Sequence, residues 1–355
     1  MNPSKQIQIE TDLNESCRNF VFSGFQLSIE SPQGEVHWAG GRTTYWPSSS
    51  EVDKDTFFDL GSLTKVILTT SVLARLVDQK KIDLNSSLKD HLEPFKNSGY
   101  GKITLRQLLS HSSGLIAWFP FYREKDRNLI STFLKRESEF LSHKNVQKTV
   151  YSDLGFLLLG EVLRNRFGDL NKLFLKEVVE PLKLKDIVFG PVSHDKSAAT
   201  EYCLERAKLL HGEVFDHNTE FFGGVCSHAG LFSSARNLLP WAREWLKAVD
   251  GTSSWLSQGV ACEFVQKAQG NSEGTWGLGW DTKSKAFSSA GELFSSNSFG
   301  HLGFPGTSIW IDPKRKGIAI LLTNRIHPSR LDERIKKLRP FIHDRVVQFW
   351  ENYER

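Results

Sequence analysis

A serine and a lysine lie three residues apart, at Ser62 and Lys65. Residues 57–60 form a short apolar run that predicts a strand, and apolar residues recur at helical spacing over residues 64–79. Residues three apart share one face of a helix, so Lys65 can reach the Ser62 hydroxyl. A serine hydroxyl needs a base to become a good nucleophile, and a lysine serves if its charged form is disfavoured. The pair predicts nucleophilic catalysis, with a helix-capping serine and a solvated lysine as the structural alternative.

A tyrosine and an aspartate, Tyr151 and Asp153, stand at the start of the strongest helical pattern, residues 153–167, which ends at Gly168. A phenol can act as a proton shuttle, or as a base when it is deprotonated. Asp153 can hydrogen-bond an ammonium group such as that of Lys65. The alternative is structural, because an aspartate also suits a helix N-cap and a tyrosine also suits the core.

A histidine precedes a glycine-rich segment at residues 301–307. His301 could donate to a substrate carboxylate or protonate a leaving group. Gly303 would let a substrate lie close to a strand. The backbone N–H groups of Ser62 and Phe304 could together stabilise an oxyanion. A glycine-rich turn with an incidental histidine is the alternative interpretation.

In this order, the three segments resemble the class C β-lactamase and penicillin-binding-protein-like family of serine hydrolases, which includes esterases, D,D-peptidases and muropeptide amidases. The family pattern is S-x-x-K, then Y-x-N or Y-x-D, then K-T-G or H-x-G. Further segments similar to the family are residues 108–115, 151–160, 228–233 and 307–313. The resemblance therefore spans nearly the whole chain.

The resemblance implies a role for each matching residue. Ser62 would be the acylated nucleophile, and Lys65 the base that activates it. Tyr151 would pass the proton to the leaving group and later activate water. Asp153 would hold this network, and His301 and Gly303 would line the opposite wall of the site. The backbone N–H of Phe304 would donate to the oxyanion.

Two departures from the β-lactamase pattern bear on the substrate. His301 replaces the usual lysine, and Leu302 replaces the usual threonine, whose hydroxyl helps to bind a β-lactam carboxylate. The resemblance then implies hydrolysis of an ester or amide through an acyl-enzyme. The alternatives are a cytoplasmic cell-wall-recycling amidase or D,D-peptidase, a β-lactamase, and a protein that uses this fold only for ligand binding.

The elements that must position these residues are strands near both ends of the chain and helices between them. Residues 20–46 predict a hairpin, residues 307–311 and 318–323 predict two strands, and residues 329–350 predict a closing helix. Helical patterns dominate the middle of the chain. The sequence therefore predicts an α/β (α+β) fold, in which an antiparallel sheet from both chain ends is flanked by helices and carries an inserted all-helical domain.

The expected domain organisation is a single β-lactamase-like catalytic unit over residues 15–355. Its α/β part is expected at about residues 15–80 and 270–355, and its helical part at about residues 81–269.

Length and composition fit an ordinary globular protein, with 355 residues, 39% hydrophobic, 24% charged and a net charge of +4. Lysine and arginine form no basic stripe, so we expect no nucleic-acid partner. We expect neither a membrane span nor a signal peptide, and therefore a cytoplasmic location. The expected partner is a small ester, amide or peptidoglycan fragment, and the oligomeric state stays open.

Other chemistry finds little support. The four cysteines, Cys17, Cys203, Cys226 and Cys262, show no metal-finger or redox spacing, so we expect no metal and no cofactor. Residues 270–274 match the G-x-S-x-G pattern of an α/β-hydrolase elbow. That elbow needs a buried strand before the serine, whereas a mixed polar segment precedes this one, and a loop explains it better.

Overall fold

In the computed structural model, which describes residues 3–141, 149–268 and 274–351, the chain is a mixture of strands and helices. The strands are β1 (Gly24–Ser31), β2 (Gly34–Gly41), β3 (Phe58–Asp59), β4 (Val188–Phe189), β5 (Ala199–Cys203), β6 (Lys208–His211), β7 (Leu231–Ser233), β8 (Asp281–Thr282), β9 (Phe299–Leu302), β10 (Ser308–Asp312) and β11 (Gly317–Thr323). The longer helices are α1 (Pro3–Arg18), α2 (a π-helical stretch Lys65–Thr70 continuing as Ser71–Asp78), α3 (Leu88–His91), α4 (Leu105–Leu109), α5 (Leu129–Lys135), α6 (Glu137–Phe140), α7 (Asp153–Phe167), α8 (Leu170–Phe174, continuing as a π-helical stretch Leu175–Val179), α9 (His217–Phe221), α10 (Ala235–Val249), α11 (Gln258–Val265) and α12 (Ile335–Glu351).

A six-stranded antiparallel sheet joins the two ends of the chain, in the order β2-β1-β11-β10-β9-β8. Strand β1 pairs with β11, and Phe25 lies opposite Thr323. The predicted sheet built from both chain ends is therefore confirmed. Its C-terminal half also contains β8 and β9, two strands that the sequence did not predict.

The two faces of the sheet pack against different helices, as the alternation along β11 shows. Ile318, Ile320 and Leu322 face the large core that includes α10. Ala319 and Leu321 face a second core formed with α1 and α12. Successive side chains of a strand point to opposite faces, so a strand buried on both sides is apolar throughout.

Helix α1 is an element that the sequence did not predict. It buries only a narrow stripe, in which Ile9 and Leu13 lie one turn apart. Its polar face is tied to α12 by an ion pair of 3.1 Å between Asp12 and Arg345. A helix with so few apolar residues gives a weak periodic signal and is stabilised mainly by tertiary packing.

The middle of the chain is mainly helical, and Thr104 caps α4, accepting a hydrogen bond from the Gln107 N–H. It also contains short strands, so this part of the chain is not all helical as the sequence predicted. Strand β7 pairs with β3 and β4, and β5 forms a hairpin with β6. Strands of two to five residues are too short to show a period-two pattern. Of the elbow-like pattern, residues 270–273 lie outside the described part of the chain.

Candidate active site

Ser62 stands on a tight turn between β3 and α2, at the wall of a cavity of about 610 Å³. Gly61 has a φ of +52°, a conformation that favours glycine. A side chain there would also approach Pro305 to 2.5 Å. The Gly61 N–H donates to the Asp59 carboxylate at 2.8 Å, which fixes the turn. The strand-to-helix junction predicted from the sequence thus presents the Ser62 hydroxyl to the cavity.

Lys65 is completely buried beneath this serine. Its Nζ donates to the Ser62 Oγ at 3.0 Å and to the His228 carbonyl oxygen at 3.3 Å. The third contact is an ion pair of 2.6 Å with the Asp153 carboxylate. These three acceptors match the three N–H bonds of an ammonium group.

The protonation state of Lys65 differs from the one expected from the sequence. Burial lowers its pKa, but the nearby Asp153 carboxylate and the Tyr151 phenol outweigh burial and raise the pKa above 10.5. The resting lysine is therefore an ammonium ion. The sequence analysis named Asp153 as a possible partner of this ammonium group, and the 2.6 Å contact between the two side chains agrees with that prediction. It did not predict that the carboxylate would keep Lys65 charged at rest.

Tyr151 lies against Lys65, with the Nζ 5.0 Å from the centre of its ring. Burial raises the pKa of the phenol, and the positive charge of Lys65 only partly opposes this. The ring packs against His111 and Trp276, with centroid distances of 4.7 and 5.2 Å. Tyr151 is thus a neutral phenol at rest and is suited to pass a proton on.

Asp153 is the first residue of α7 but does not cap that helix. The cap is Ser152, whose side chain accepts from the Gly155 N–H at 3.3 Å. The structural alternative for Asp153 is therefore wrong, because its neighbour takes that place. The Asp153 carboxylate is left to pair with Lys65.

His301 lies on β9 and is 1% exposed. Its Nδ1 is 2.8 Å from the Leu302 carbonyl oxygen, which can only accept, so Nδ1 carries the proton. Burial, followed by the charge of Lys65, lowers the His301 pKa to about 3. Its buried Nε2 has no partner among the described residues. His301 thus offers an acceptor at Nε2, whereas the sequence predicted a donor.

The structure shows a packing role for Gly303 that the sequence did not predict. A Cβ there would lie 2.5 Å from the Leu60 carbonyl oxygen and would overlap Thr307. The small residue lets the end of β9 pack against the segment that leads into Ser62. Gly303 also lines the cavity that contains Ser62, and its role in substrate clearance stays a prediction. The neighbouring Phe304 is 44% exposed and stacks on Phe215 at 5.6 Å. The oxyanion role of its N–H stays a prediction.

A buried ion pair that the sequence did not predict borders the same cavity. His228 Nε2 lies 3.1 Å from the Asp216 carboxylate. Burial lowers the His228 pKa, but Asp216 outweighs burial and raises it to about 10. The same His228 supplies the carbonyl oxygen bound by Lys65. No sequence spacing marks this pair, because its members meet only through the fold.

Positive charge gathers on the cavity wall formed by the C-terminal segment, where Arg325 and Arg339 lie. Arg325 donates to the Phe304 carbonyl oxygen at 2.8 Å and covers the Phe304 ring at 4.4 Å. Arg339 is 5% exposed, and its Nε has no partner in the described part of the chain. Within residues 3–141, 149–268 and 274–351, no carboxylate lies within 4.0 Å of either guanidinium. The wall is therefore suited to an anion.

Fold and cavity together define a serine hydrolase, and the comparisons identify its family. The chain matches the beta-lactamase family over residues 31–340 and belongs to that family. It is 33% identical to an N-acetylmuramyl-L-alanine amidase of Bacillus subtilis, over 78% of this chain and 70% of that protein. It is 27% identical to a putative D-alanyl-D-alanine carboxypeptidase of Salmonella typhimurium, over 77% of this chain and 70% of that protein.

Among solved structures, the fold is similar to that of EstCE1, a hydrolase with promiscuous acyltransferase activity. The TM-score is 0.77 at 19% identity, over 97% of this chain and 99% of that chain. The predicted β-lactamase-like fold and the hydrolase class are thus confirmed. No helix in the described residues is long and apolar enough to cross a membrane.

Replacing Asp153 by asparagine is expected to move the acid limb of the kcat/KM profile to lower pH. The Asp153 carboxylate raises the pKa of both Lys65 and Tyr151. Without that charge, the Lys65–Tyr151 pair loses a proton at lower pH. The reactive form of the enzyme is then populated at lower pH than in the wild type. The measurement is kcat/KM against pH for the wild type, Asp153→Asn and the exposed control Asp250→Asn. An unmoved limb, or a shift to higher pH, would contradict this arrangement of charges.

Proposed function

We propose that the protein hydrolyses an amide bond in a small, carboxylate-bearing peptidoglycan fragment, through an acyl-enzyme on Ser62. The observation that carries this proposal is that Arg325 and Arg339 line the same cavity as Ser62 and, among the described residues, have no carboxylate within 4.0 Å. Guanidinium groups bind carboxylates through matched pairs of hydrogen bonds. Both cations gain an anionic partner when such a substrate enters.

The proposed reaction uses the Lys65–Tyr151 pair as one proton-handling unit. Once the pair has lost one proton, it accepts the proton of Ser62 as the Ser62 Oγ attacks the substrate carbonyl carbon. The N–H groups of Ser62 and Phe304 stabilise the oxyanion, and Tyr151 protonates the departing nitrogen. Water then attacks the acyl-enzyme and gives a proton to the same pair. The pair returns this proton to the Ser62 Oγ as the acyl bond breaks, so that the carboxylic acid leaves and Ser62 is restored.

His301 favours an amide over an ester. Its Nε2 is a buried acceptor without a partner among the described residues, and leaving such a group unpaired costs about 1–3 kcal/mol. An amide N–H can donate to it, whereas an ester linkage has no hydrogen to give. We therefore infer that a substrate whose N–H reaches the His301 Nε2 is bound better than the matching ester.

The names of the relatives agree with an amide substrate, since one is called an amidase and the other a putative carboxypeptidase. A β-lactam is a less favoured substrate, because Leu302 lines the cavity with an apolar side chain where a threonine hydroxyl would bind the β-lactam carboxylate. The cytoplasmic location expected from the sequence would make the substrate a released fragment rather than the intact wall.

The test compares N-acetylmuramyl-L-alanine with its alaninamide, which lacks the carboxylate. The wild type is expected to favour the acid in kcat/KM by about 10- to 100-fold, since a hydrogen bond to a charged group contributes about 1.5–3 kcal/mol. Arg339→Gln should lose most of that preference. Lys337→Gln, an exposed position on the same helix, is the matched control and should keep it. Equal rates for the two compounds with the wild type would contradict the proposal.

A further inference from the structure

We propose that Cys203, Glu205 and His217 form a binding site for Zn²⁺ beside the active-site cavity. The Cys203 Sγ lies 3.2 Å from the His217 Nε2 and 3.8 Å from a Glu205 carboxylate oxygen. All three ligand atoms lie within 4.8 Å of one another. A thiolate, an imidazole and a carboxylate are the ligand types that proteins use for zinc.

The spacing of the three atoms fits a tetrahedral ion with little movement. Zinc–sulfur and zinc–nitrogen bonds of about 2.3 and 2.0 Å place neighbouring ligand atoms about 3.5 Å apart at a tetrahedral angle. The observed separations of 3.2 and 3.8 Å lie on either side of that value. The two separations that involve the Cys203 Sγ therefore need shifts of only a few tenths of an ångström, and the third pair of ligand atoms lies within 4.8 Å.

The backbone brings these ligands together from two places. Cys203 is the last residue of β5, and Glu205 follows it in the turn that leads to β6. His217 is the first residue of α9, and its ring packs edge-on against Tyr122 at 4.9 Å. The site could not be predicted from the sequence, because the histidine follows the cysteine by fourteen residues and no second cysteine accompanies it.

The nearby arginines are already engaged, so they do not compete with a cation. Arg330 donates to Glu201 at 2.6 Å. Arg206 donates to the Val214 carbonyl oxygen at 2.9 Å and lies 3.9 Å from Glu220. A zinc ion bound by one thiolate, one carboxylate and a neutral imidazole forms a neutral group, which suits a partly buried place.

Three protein ligands leave a fourth position for water or an exogenous ligand, as in zinc sites that are not purely structural. His217 also lines the cavity that contains Ser62. A bound ion would therefore stand at the cavity wall. Without a metal, the same atoms make a thiol–imidazole hydrogen bond, and the experiment must separate the two cases.

The test uses tag-free protein stripped with a chelator and then titrated with Zn²⁺ against a chromogenic indicator. The wild type is expected to bind one equivalent of Zn²⁺ that Cys203→Ser does not bind. Cys262→Ser, which removes a partly buried thiol elsewhere in the chain, is the control and should bind as the wild type does. Circular dichroism shows whether each variant is folded.

Titration with Co²⁺ gives a second readout that is independent of activity. The wild type and Cys262→Ser should show a sulfur-to-cobalt charge-transfer band, and Cys203→Ser should not. Glu205→Gln keeps the thiol in place, and it should retain the band but release Co²⁺ to a lower chelator concentration than the wild type. No stoichiometric Zn²⁺ binding by the wild type, or the same band in folded Cys203→Ser, would overturn the proposal.

Discussion

Replacing Ser62 by alanine is expected to lower kcat/KM for the amide substrate by about 10⁴-fold or more, because in the proposed reaction the acyl-enzyme forms on the Ser62 hydroxyl. The fold should be retained. Ser62 is half-buried, and the substitution removes one hydrogen bond of 3.0 Å from Lys65. A loss of about 1 kcal/mol lowers the melting temperature by no more than about 4 °C in a chain of this size.

The control for this variant is Ser296→Ala, an exposed serine that does not line the cavity. Steady-state kinetics and thermal unfolding are measured on all three proteins. Ser296→Ala should behave as the wild type in both. If Ser62→Ala keeps a tenth or more of the turnover while remaining folded, the assignment of the nucleophile is wrong.

Replacing Lys65 by methionine is expected to remove activity and to destabilise the protein as well. Loss of the proton acceptor should cost about 10²–10⁴-fold in kcat/KM. The substitution also leaves the Asp153 carboxylate without the cation that lies 2.6 Å away. Breaking a buried pair typically costs about 3–5 kcal/mol. Because the Asp153 side chain is 18% exposed, water recovers part of that cost, and we expect a loss of about 2–3 kcal/mol.

The double variant Lys65→Met/Asp153→Asn separates the two effects. Asparagine removes the stranded charge, so most of the lost free energy of unfolding should return while activity stays low. Urea unfolding and kcat/KM are measured on the single and double variants. A single variant as stable as the wild type, or a double variant less stable than the single one, would contradict the ion pair.

The sequence predicted the parts of the site that depend on local geometry. Ser62 and Lys65 are one helical turn apart, so their contact follows from helix geometry alone. The sheet formed by both chain ends follows from strand patterns on either side of a helical middle. Helix α1 was missed because its apolar stripe is narrow, and the short strands of the middle were missed because they are only two to five residues long.

The protonation states depend on the tertiary structure and were not predictable from the sequence. The sequence allowed Lys65 to be a neutral base, whereas the Asp153 carboxylate keeps it charged at rest. His301 was expected to donate, whereas the Leu302 carbonyl oxygen fixes its proton on Nδ1. The Asp216–His228 pair joins residues twelve positions apart, and Arg325 and Arg339 reach the cavity wall only through the fold, so no spacing rule connects either set.

The central claim is that the Ser62 hydroxyl becomes acylated, and mass spectrometry of the quenched enzyme tests it most directly. The protein is mixed with an activated ester, quenched in acid within the first turnovers and digested. The account predicts one acyl group per chain, on the peptide that contains Ser62, and a weaker signal when Lys65 is replaced. An acyl group on another peptide, or none during active turnover, would contradict it.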